Sequence, residues 1–497
     1  MMSLKEGNSR RVTVCLVATM LSTPAIGQTT GKKASATPIA DSTPAYPAGA
    51  NGDGTAQGAY NLSRWAENWH GMKDPAKRDD PLDALKFIPL DRAGDSYLTL
   101  SGELRLRVQG ATNPNLREGD AQRQNRLRVF AGADLHLGDH FRAYDELAHG
   151  GLGGVNLGTP NTNLRNDLAL QQGFAEVMGS IDGVAVGVRG GRQEFTDGPN
   201  LLTSARDDNS LRFVLDGVRG YARGTRVRVD LFDYRYVRYG YEGLGDDETD
   251  SNRRVSGVTF GYALPTKLLG RSKLYFDPFV WRLRNRGAVC GGRTAREERM
   301  FYGLHLYGDA GPMTLDWTLN HQGGRYDGRS ISAWQAFFAQ TYRVGKAATA
   351  PRVGVHLDYA SGGGAYDRGT LRTASGLFGN NIYYSYQLFL TPSNLAVIAP
   401  NLTVQPTRKL RVTGEYGFAW RPSDSDAVYR ASGAAFASTQ RAAGHRVADV
   451  ARLQAIWSAT ARLSVTARYE HLMAREALTG AGYASSDFLA LWGSFRF

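Results

Sequence analysis

The amino-acid sequence predicts an all-β protein, a transmembrane antiparallel β-barrel behind a signal peptide and a short N-terminal cap. Three observations predict it. From Tyr97 onward, apolar and polar residues alternate with period two in segment after segment. Beyond the N-terminus, no stretch approaches the roughly 20 apolar residues that a spanning helix needs. The chain also ends on 489–497, LALWGSFRF, whose alternate apolar positions close on Phe497.

Taken in order, Lys5, Arg10 and Arg11 precede an apolar run from Val12 to Leu21, and Ala25-Ile26-Gly27 supplies small residues for cleavage. Residues 1–27 therefore read as a secretory signal cut after Gly27. Cys15 lies inside that segment, so Cys290 is the one thiol of the mature chain, which excludes an internal disulfide or a thiolate metal cage. Residues 28–60 are rich in Thr, Ala, Pro and Gly and read as a disordered linker. Residues 61–96 read as a periplasmic cap, with one short helical turn in 81–90 that Pro89 stops.

The barrel is expected over 97–497. Leu98, Leu100, Leu104, Leu106 and Val108 alternate with Thr99, Ser101, Glu103, Arg105 and Arg107, and Leu127, Val129 and Ala131 alternate with Arg126 and Arg128. The same pattern recurs at 226–231, 313–320, 352–359, 410–418 and 462–470. A soluble sandwich would turn the apolar face inward, whereas a membrane barrel turns it to lipid. Strands of about 10 residues favour the barrel. So do Tyr97, Phe141, Tyr239, Tyr241, Tyr359, Trp420 and Tyr469 near strand ends, as aromatic girdles. The C-terminal run resembles the last strand of bacterial outer-membrane proteins, and it is expected to pair with the first strand. About 400 residues at about 20–25 per strand give 16 to 20 strands, and of the even counts 16 and 18 are the best fit. Segments 150–166, 240–252, 287–296, 361–380 and 430–444 read as long extracellular loops, and Thr460-Ala461-Arg462 as a short periplasmic turn. A barrel this wide keeps an aqueous lumen unless loops fill it.

The net charge is +12, and residues 1–27 hold three of the cations and one acid, leaving about +10. Arg105, Arg107, Arg126, Arg128, Arg226, Arg228, Arg352, Arg411, Arg462 and Arg468 fall on the polar faces of their strands, alongside Glu103, Asp134, Asp230, Asp358, Glu415 and Glu470. In a lumen, low-dielectric walls focus the field of fixed charges, and a guanidinium fork matches a carboxylate. The pattern suits an anionic solute; in competition with it, each inward arginine can instead brace the wall in a salt bridge. Nucleic acid is not expected, because the arginines alternate within strands instead of clustering on one reading element. There is no GxSxG or HExxH motif, and His136, His305 and His356 read as satisfied lumen histidines. No enzyme, cofactor or metal is expected, although a barrel enzyme with a lipid-facing Ser/His pair stays open as a third reading.

Residues 64–90 (RWAENWHGMKDPAKRDDPLDALKFIPL), 102–107 (GELRLR) and 126–142 resemble the alginate-export family of outer-membrane porins. So do Gly191-Arg192-Gln193-Glu194, then Leu201, Arg206, Asn209, Arg212 and 213–218 (FVLDGV), together with Ser393-Asn394-Leu395, Trp420-Arg421, Asp426 and Tyr429. The resemblance covers about 61–497. It implies an 18-stranded monomeric barrel in outer-membrane lipid, with an arginine-lined constriction that secretes a polyuronate and periplasmic secretion proteins as possible partners. By motif position it assigns Arg192 and Arg206 to the pore lining, with Arg212 and Asp216 nearby. Where the family's exporters carry a long periplasmic plug loop near the chain end, Trp457–Leu463 leaves room only for a tight turn. The sequence thus points to an outer-membrane channel for anionic saccharide lined by Glu103, Arg105, Arg107, Arg126, Arg128, Arg192, Arg206, Arg212, Asp216 and Arg411. The alternative is an uptake porin for small anions.

Overall fold

The computed structural model describes residues 56–57, 60–119, 121–196, 198–269 and 272–497. The expected signal segment and nearly all of the expected linker lie outside the described residues. Eighteen antiparallel strands close into one barrel. They are β1 Tyr97–Thr112, β2 Ala121–Leu137, β3 Phe141–Val155, β4 Asn166–Ile181, β5 Val184–Gln193, β6 Leu215–Arg223, β7 Val227–Arg238, β8 Glu248–Ala263 and β9 Ser272–Cys290. They continue with β10 Arg293–Ala310, β11 Met313–Tyr326, β12 Arg329–Arg343, β13 Arg352–Ala360, β14 Leu395–Thr407, β15 Leu410–Trp420, β16 Arg446–Ser458, β17 Leu463–Ala474 and β18 Ser486–Arg496. Closure is between β18 and β1, in the register Phe488↔Ala111 to Arg496↔Glu103. The expected pairing of the last strand with the first is therefore present.

Alternation resolves into an inverted pattern of exposure. On β1, Leu104, Leu106 and Val108 are exposed outward, Leu106 at 60%, while Glu103, Arg105 and Arg107 are buried inward, Arg107 at 4%. A membrane barrel requires this arrangement, since its solvent is lipid outside and water or protein inside. Strands run from 9 to 19 residues, so the longest exceed the expected ten and extend past the membrane thickness. The outward aromatics differ in part from those expected, and include Tyr302, Trp334, Tyr342 and Trp457. Phe141, Tyr359 and Tyr469 face outward, whereas Tyr97 and Tyr239 are buried inside the barrel. Tyr97 shares the face of Thr99 and Glu103 and stacks on His136 at 4.5 Å between centroids.

The two ends of the barrel differ. At one, short turns join the strands, including 459–462 between β16 and β17. At the other, long connections run over 194–214, 361–394 and 421–445. The loop expected at 287–296 is instead a tight hairpin, with Cys290 paired to Arg293 and Gly291 and Gly292 at φ +57° and +73°. Two positive-φ glycines are what a two-residue hairpin turn demands, so glycine here marks a turn and not a long loop. The expected loops at 150–166 and 240–252 are also shorter, because β3 runs through Val155 and β8 starts at Glu248.

Protein fills much of the lumen. The 194–214 loop folds inward and buries Phe195 against Phe232, Tyr234 and Trp281. It bonds the 361–394 loop through Phe378 N–H to the Leu202 carbonyl (3.2 Å) and Asn380 N–H to the Asn200 carbonyl (2.8 Å). From the short-turn end, residues 60–96 enter the mouth. Pro81–Lys86 forms a 3₁₀ turn capped reciprocally by Asp80 and Asp83. The Thr99 hydroxyl donates to the Lys86 carbonyl at 2.8 Å, and Arg462 anchors Asp80 and Asp83 at 2.6 Å each. Arg462 was expected on a strand face; it lies in the 459–462 turn and ties this segment to the rim.

Candidate functional site

Arg105 stands directly opposite Arg128 across β1 and β2, and Arg107 opposite Arg126. Like charges so placed repel, so this 2×2 block needs counter-charge, and loop 194–214 brings it. The Asp207 carboxylate accepts from Arg105 Nη2 and Arg128 Nη2, both at 2.9 Å, and from Arg212 Nε at 2.7 Å. The Asp208 carboxylate accepts from Arg107 Nη1 at 2.9 Å and from Arg468 Nη1, on β17, at 2.6 Å. Backbone carbonyls add to this: that of Asp207 accepts from Arg105 and Arg128, and that of Asp208 from Arg126 at 2.8 Å. Burial opposes ionisation of both aspartates. Even so, Arg105, Arg128 and Arg212 hold the Asp207 carboxyl well below the usual range, and Arg107, Arg468 and Arg126 do the same for Asp208.

Glu103 completes the block from the wall, bonded to Arg128, Arg105 (3.1 Å) and Arg64. Arg64 comes from the N-terminal segment and also pairs with Glu146 at 2.8 Å. Arg212 is fully buried and joins Asp207 to Glu194 (3.1 Å) and to the Leu62 carbonyl (2.5 Å). The tip of the inward loop, the wall arginines and the N-terminal segment thus form one charged network.

Within it Arg126 differs from its neighbours. Its bonds run to the Asp208 carbonyl and, at 3.4 Å, to the Ser210 hydroxyl, and it has no carboxylate partner among the described residues. Together with Arg107, Gln109, Gln124 and Asn156 it lines a cavity of about 300 Å³ on the long-loop side of the block. A second cavity of about 260 Å³ shares Asp208 and Asn209 with it and reaches Arg206.

The other sequence-assigned residues fall in several places. Arg206 lies on the loop at φ +53°, with Nε donating to the Phe378 carbonyl at 3.2 Å. Arg192 and Asp216 are cross-strand partners bonded at 2.9 Å, but they share the strand face of Val188 and Val218, the outward one, away from the block. Arg411 is exposed at the short-turn rim, one residue into β15. Two of the expected histidines are held inside the barrel wall by carboxylates: His305 by Asp316 at 2.9 Å, and His356 between Asp358 (2.6 Å) and Glu415 (3.3 Å). Sequence reasoning assigned no role to Asp207, Asp208, Arg64 or Glu194.

The remaining motif residues lock loops together. Tyr429 donates to Asp426 at 2.6 Å, Asp426 accepts from Gly363 N–H at 2.7 Å, and Arg421 donates to the Gly444 carbonyl at 2.8 Å. Asn394 donates to the Ser423 and Ala427 carbonyls. These bonds bind 361–394 to 421–445 and hold both over the lumen. A family model described as alginate export matches residues 96–491.

The chain belongs to the alginate export family. A comparison with curated protein sequences gives no significant match. Among solved structures, the barrel is similar to OccAB1 of Acinetobacter baumannii, with TM-score 0.53 and 10% identity over 84% of this chain and 99% of that one. It is similar to OccK2 (OpdF) of Pseudomonas aeruginosa in complex with glucuronate, with TM-score 0.51 and 11% identity over 83% and 98%. It is also similar to a BenF-like porin of Pseudomonas fluorescens Pf-5, with TM-score 0.52 and 12% identity over 80% and 98%. At such identities the likeness is one of fold, and that fold is an outer-membrane, porin-like barrel. Family and structural neighbours are channels and porins, not enzymes.

Proposed function

We propose that this alginate-export-family barrel is a passive outer-membrane channel for anionic, uronate-type carbohydrate, with the β1–β2 arginine block as its selectivity element. The observation that carries the reading is Arg126, a guanidinium without a carboxylate partner at the edge of a polar cavity. A solute carboxylate arriving there meets a fork of matching geometry. It then exchanges with the Asp208 and Asp207 carboxylates already on the neighbouring arginines, trading one ion pair for another instead of stripping a bare cation. Amide side chains beside it, Gln109, Gln124 and Asn156, suit sugar hydroxyls. On this reading the barrel works as a monomer in outer-membrane lipid and, for export, receives cargo from periplasmic secretion proteins.

The second reading, uptake of small anions, is favoured by the loop tip. With Asp207 and Asp208 seated on the wall, the adjoining cavities suit one or two sugar units, and a polymer passes only if the tip swings out. The glucuronate held by a porin of similar fold supports a uronate as the unit recognised. Single-channel recording in planar bilayers tests both. Anion-selective current blocked by oligouronates supports export. Current insensitive to oligouronates but reduced by glucuronate supports uptake, and cation selectivity overturns both.

A further inference from the structure

A charged band on the outer wall has no place in the pore reading. On β7–β11, the cross-strand row Arg235↔Arg254↔Arg284↔Glu298↔Arg325 runs over five adjacent strands, about 20 Å at about 4.8 Å per strand. These residues share the face of Leu231, Phe260, Val280, Tyr302 and Leu319, which are all exposed outward. The next row toward the membrane holds Asp233 and Arg282. Two ion pairs form there, Arg254 with Asp233 and Arg282 with Glu298. Arg235, Arg284 and Arg325 have no carboxylate partner among the described residues, leaving five arginines against two acids. An arginine facing lipid is costly at mid-membrane and cheap only near the interface, so this row belongs at headgroup level, on the long-loop, outer side.

The wall below it is shaped as well. About 13 Å nearer mid-membrane, at four residues per strand, Val258, Phe260, Pro278, Val280, Tyr302 and Leu304 bound an apolar surface groove of about 430 Å³ on β8–β10. A groove for hydrocarbon directly under a row of unpaired guanidiniums has the two ends of an amphiphile. We infer that the outer wall of β7–β11 is a docking site for a phosphorylated glycolipid of the outer leaflet, its phosphates on Arg235, Arg284 and Arg325 and an acyl chain in the Val258–Val280–Tyr302 groove. Arginine is the suited residue because its planar fork binds phosphate oxygens in pairs, and basic clusters at membrane boundaries hold anionic headgroups. The site is separate from the lumen and does not rest on the transport reading.

Native mass spectrometry of the purified full-length barrel tests it, using a bisphosphorylated, multiply acylated glucosamine-disaccharide lipid as probe. Its dephosphorylated form, phosphatidylglycerol and inorganic phosphate serve as the comparison arms. The bisphosphorylated lipid is expected to bind at least tenfold more tightly than the dephosphorylated form or phosphatidylglycerol, and excess inorganic phosphate is expected not to displace it. The variant Arg235→Gln/Arg284→Gln/Arg325→Gln loses at least tenfold, and Val280→Trp, which fills the groove, also weakens binding. Heat-modified migration on gels confirms that each variant is folded. Equal binding of the triple variant, equal binding of the dephosphorylated lipid or phosphatidylglycerol, or displacement by inorganic phosphate overturns the inference.

Discussion

Arg105 and Arg128 face each other across the first two strands, and the Asp207 carboxylate sits between them, 2.9 Å from each. Removing that carboxylate leaves the two buried guanidiniums to share Glu103 alone. Asp207→Asn is therefore expected to destabilise the barrel by about 3 kcal/mol, the usual cost of breaking a buried ion pair. It should also shift the reversal potential in a KCl gradient further toward anions. Thermal denaturation and bilayer recording on one preparation check the two effects together.

Arg126 gives the opposite combination. Lacking a carboxylate partner among the described residues, it holds the loop only through the Asp208 carbonyl and the Ser210 hydroxyl, so its charge is free to act as field. Arg126→Gln is expected to reduce anion selectivity with a change in melting temperature smaller than that of Arg128→Gln, which takes one buried ion-pair partner each from Glu103 and Asp207. The selectivity change shrinks at 1 M salt, where the Debye length is about 3 Å. Arg192→Gln is expected to leave the reversal potential where it was, because Arg192 bonds Asp216 on the outward face.

The loop tip carries a pH dependence of definite sign. Asp207 and Asp208 have folded-state pKa values held below their unfolded values, chiefly by Arg105 and Arg107, against the opposing effect of burial. Their contribution is complete above the unfolded value, about 3.9, and is lost as pH falls from there toward the folded value. Between pH 4 and 2 the tip should loosen from the wall, seen as rising conductance and current noise. A double Asp207→Asn/Asp208→Asn channel should be noisy at pH 7 and show no further acid transition of this origin.

The barrel was legible because period two is written directly in side chains, and because the C-terminal strand and the missing apolar helix together set which face meets lipid. The charge block was half legible. Arg105, Arg107, Arg126 and Arg128 follow from alternation, but Asp207 and Asp208 sit in an aperiodic segment where nothing in the pattern says that the loop turns inward. Its length was a signal, since 21 residues between β5 and β6 far exceed a hairpin connection. Arg192 could have been placed from the sequence, because it is four residues from outward-facing Val188 and so shares its face. The Gly291-Gly292 hairpin was misread because glycine-rich composition does not distinguish a tight turn from a long loop.

The seam supplies the last prediction. Phe497 lies past the end of β18 yet still pairs with β1: its N–H donates to the Gly102 carbonyl at 3.1 Å, and Gly102 N–H donates back at 3.0 Å. The Phe497 ring covers Gly102 so closely that any Cβ there would collide with it. Gly110, on the same strand and face, meets nothing nearer than the Gln122 carbonyl at 3.7 Å. Gly102→Val must therefore displace the terminal ring, and Gly110→Ala need not. Deleting Phe497 or making Gly102→Val is expected to lower the amount of heat-modifiable, folded barrel in outer-membrane fractions several-fold, with export to the periplasm unchanged, while Gly110→Ala assembles at wild-type level. Normal assembly of the Phe497 deletion would mean that the seam closes without its terminal contact, and that the aromatic at the chain end serves neither pairing nor insertion.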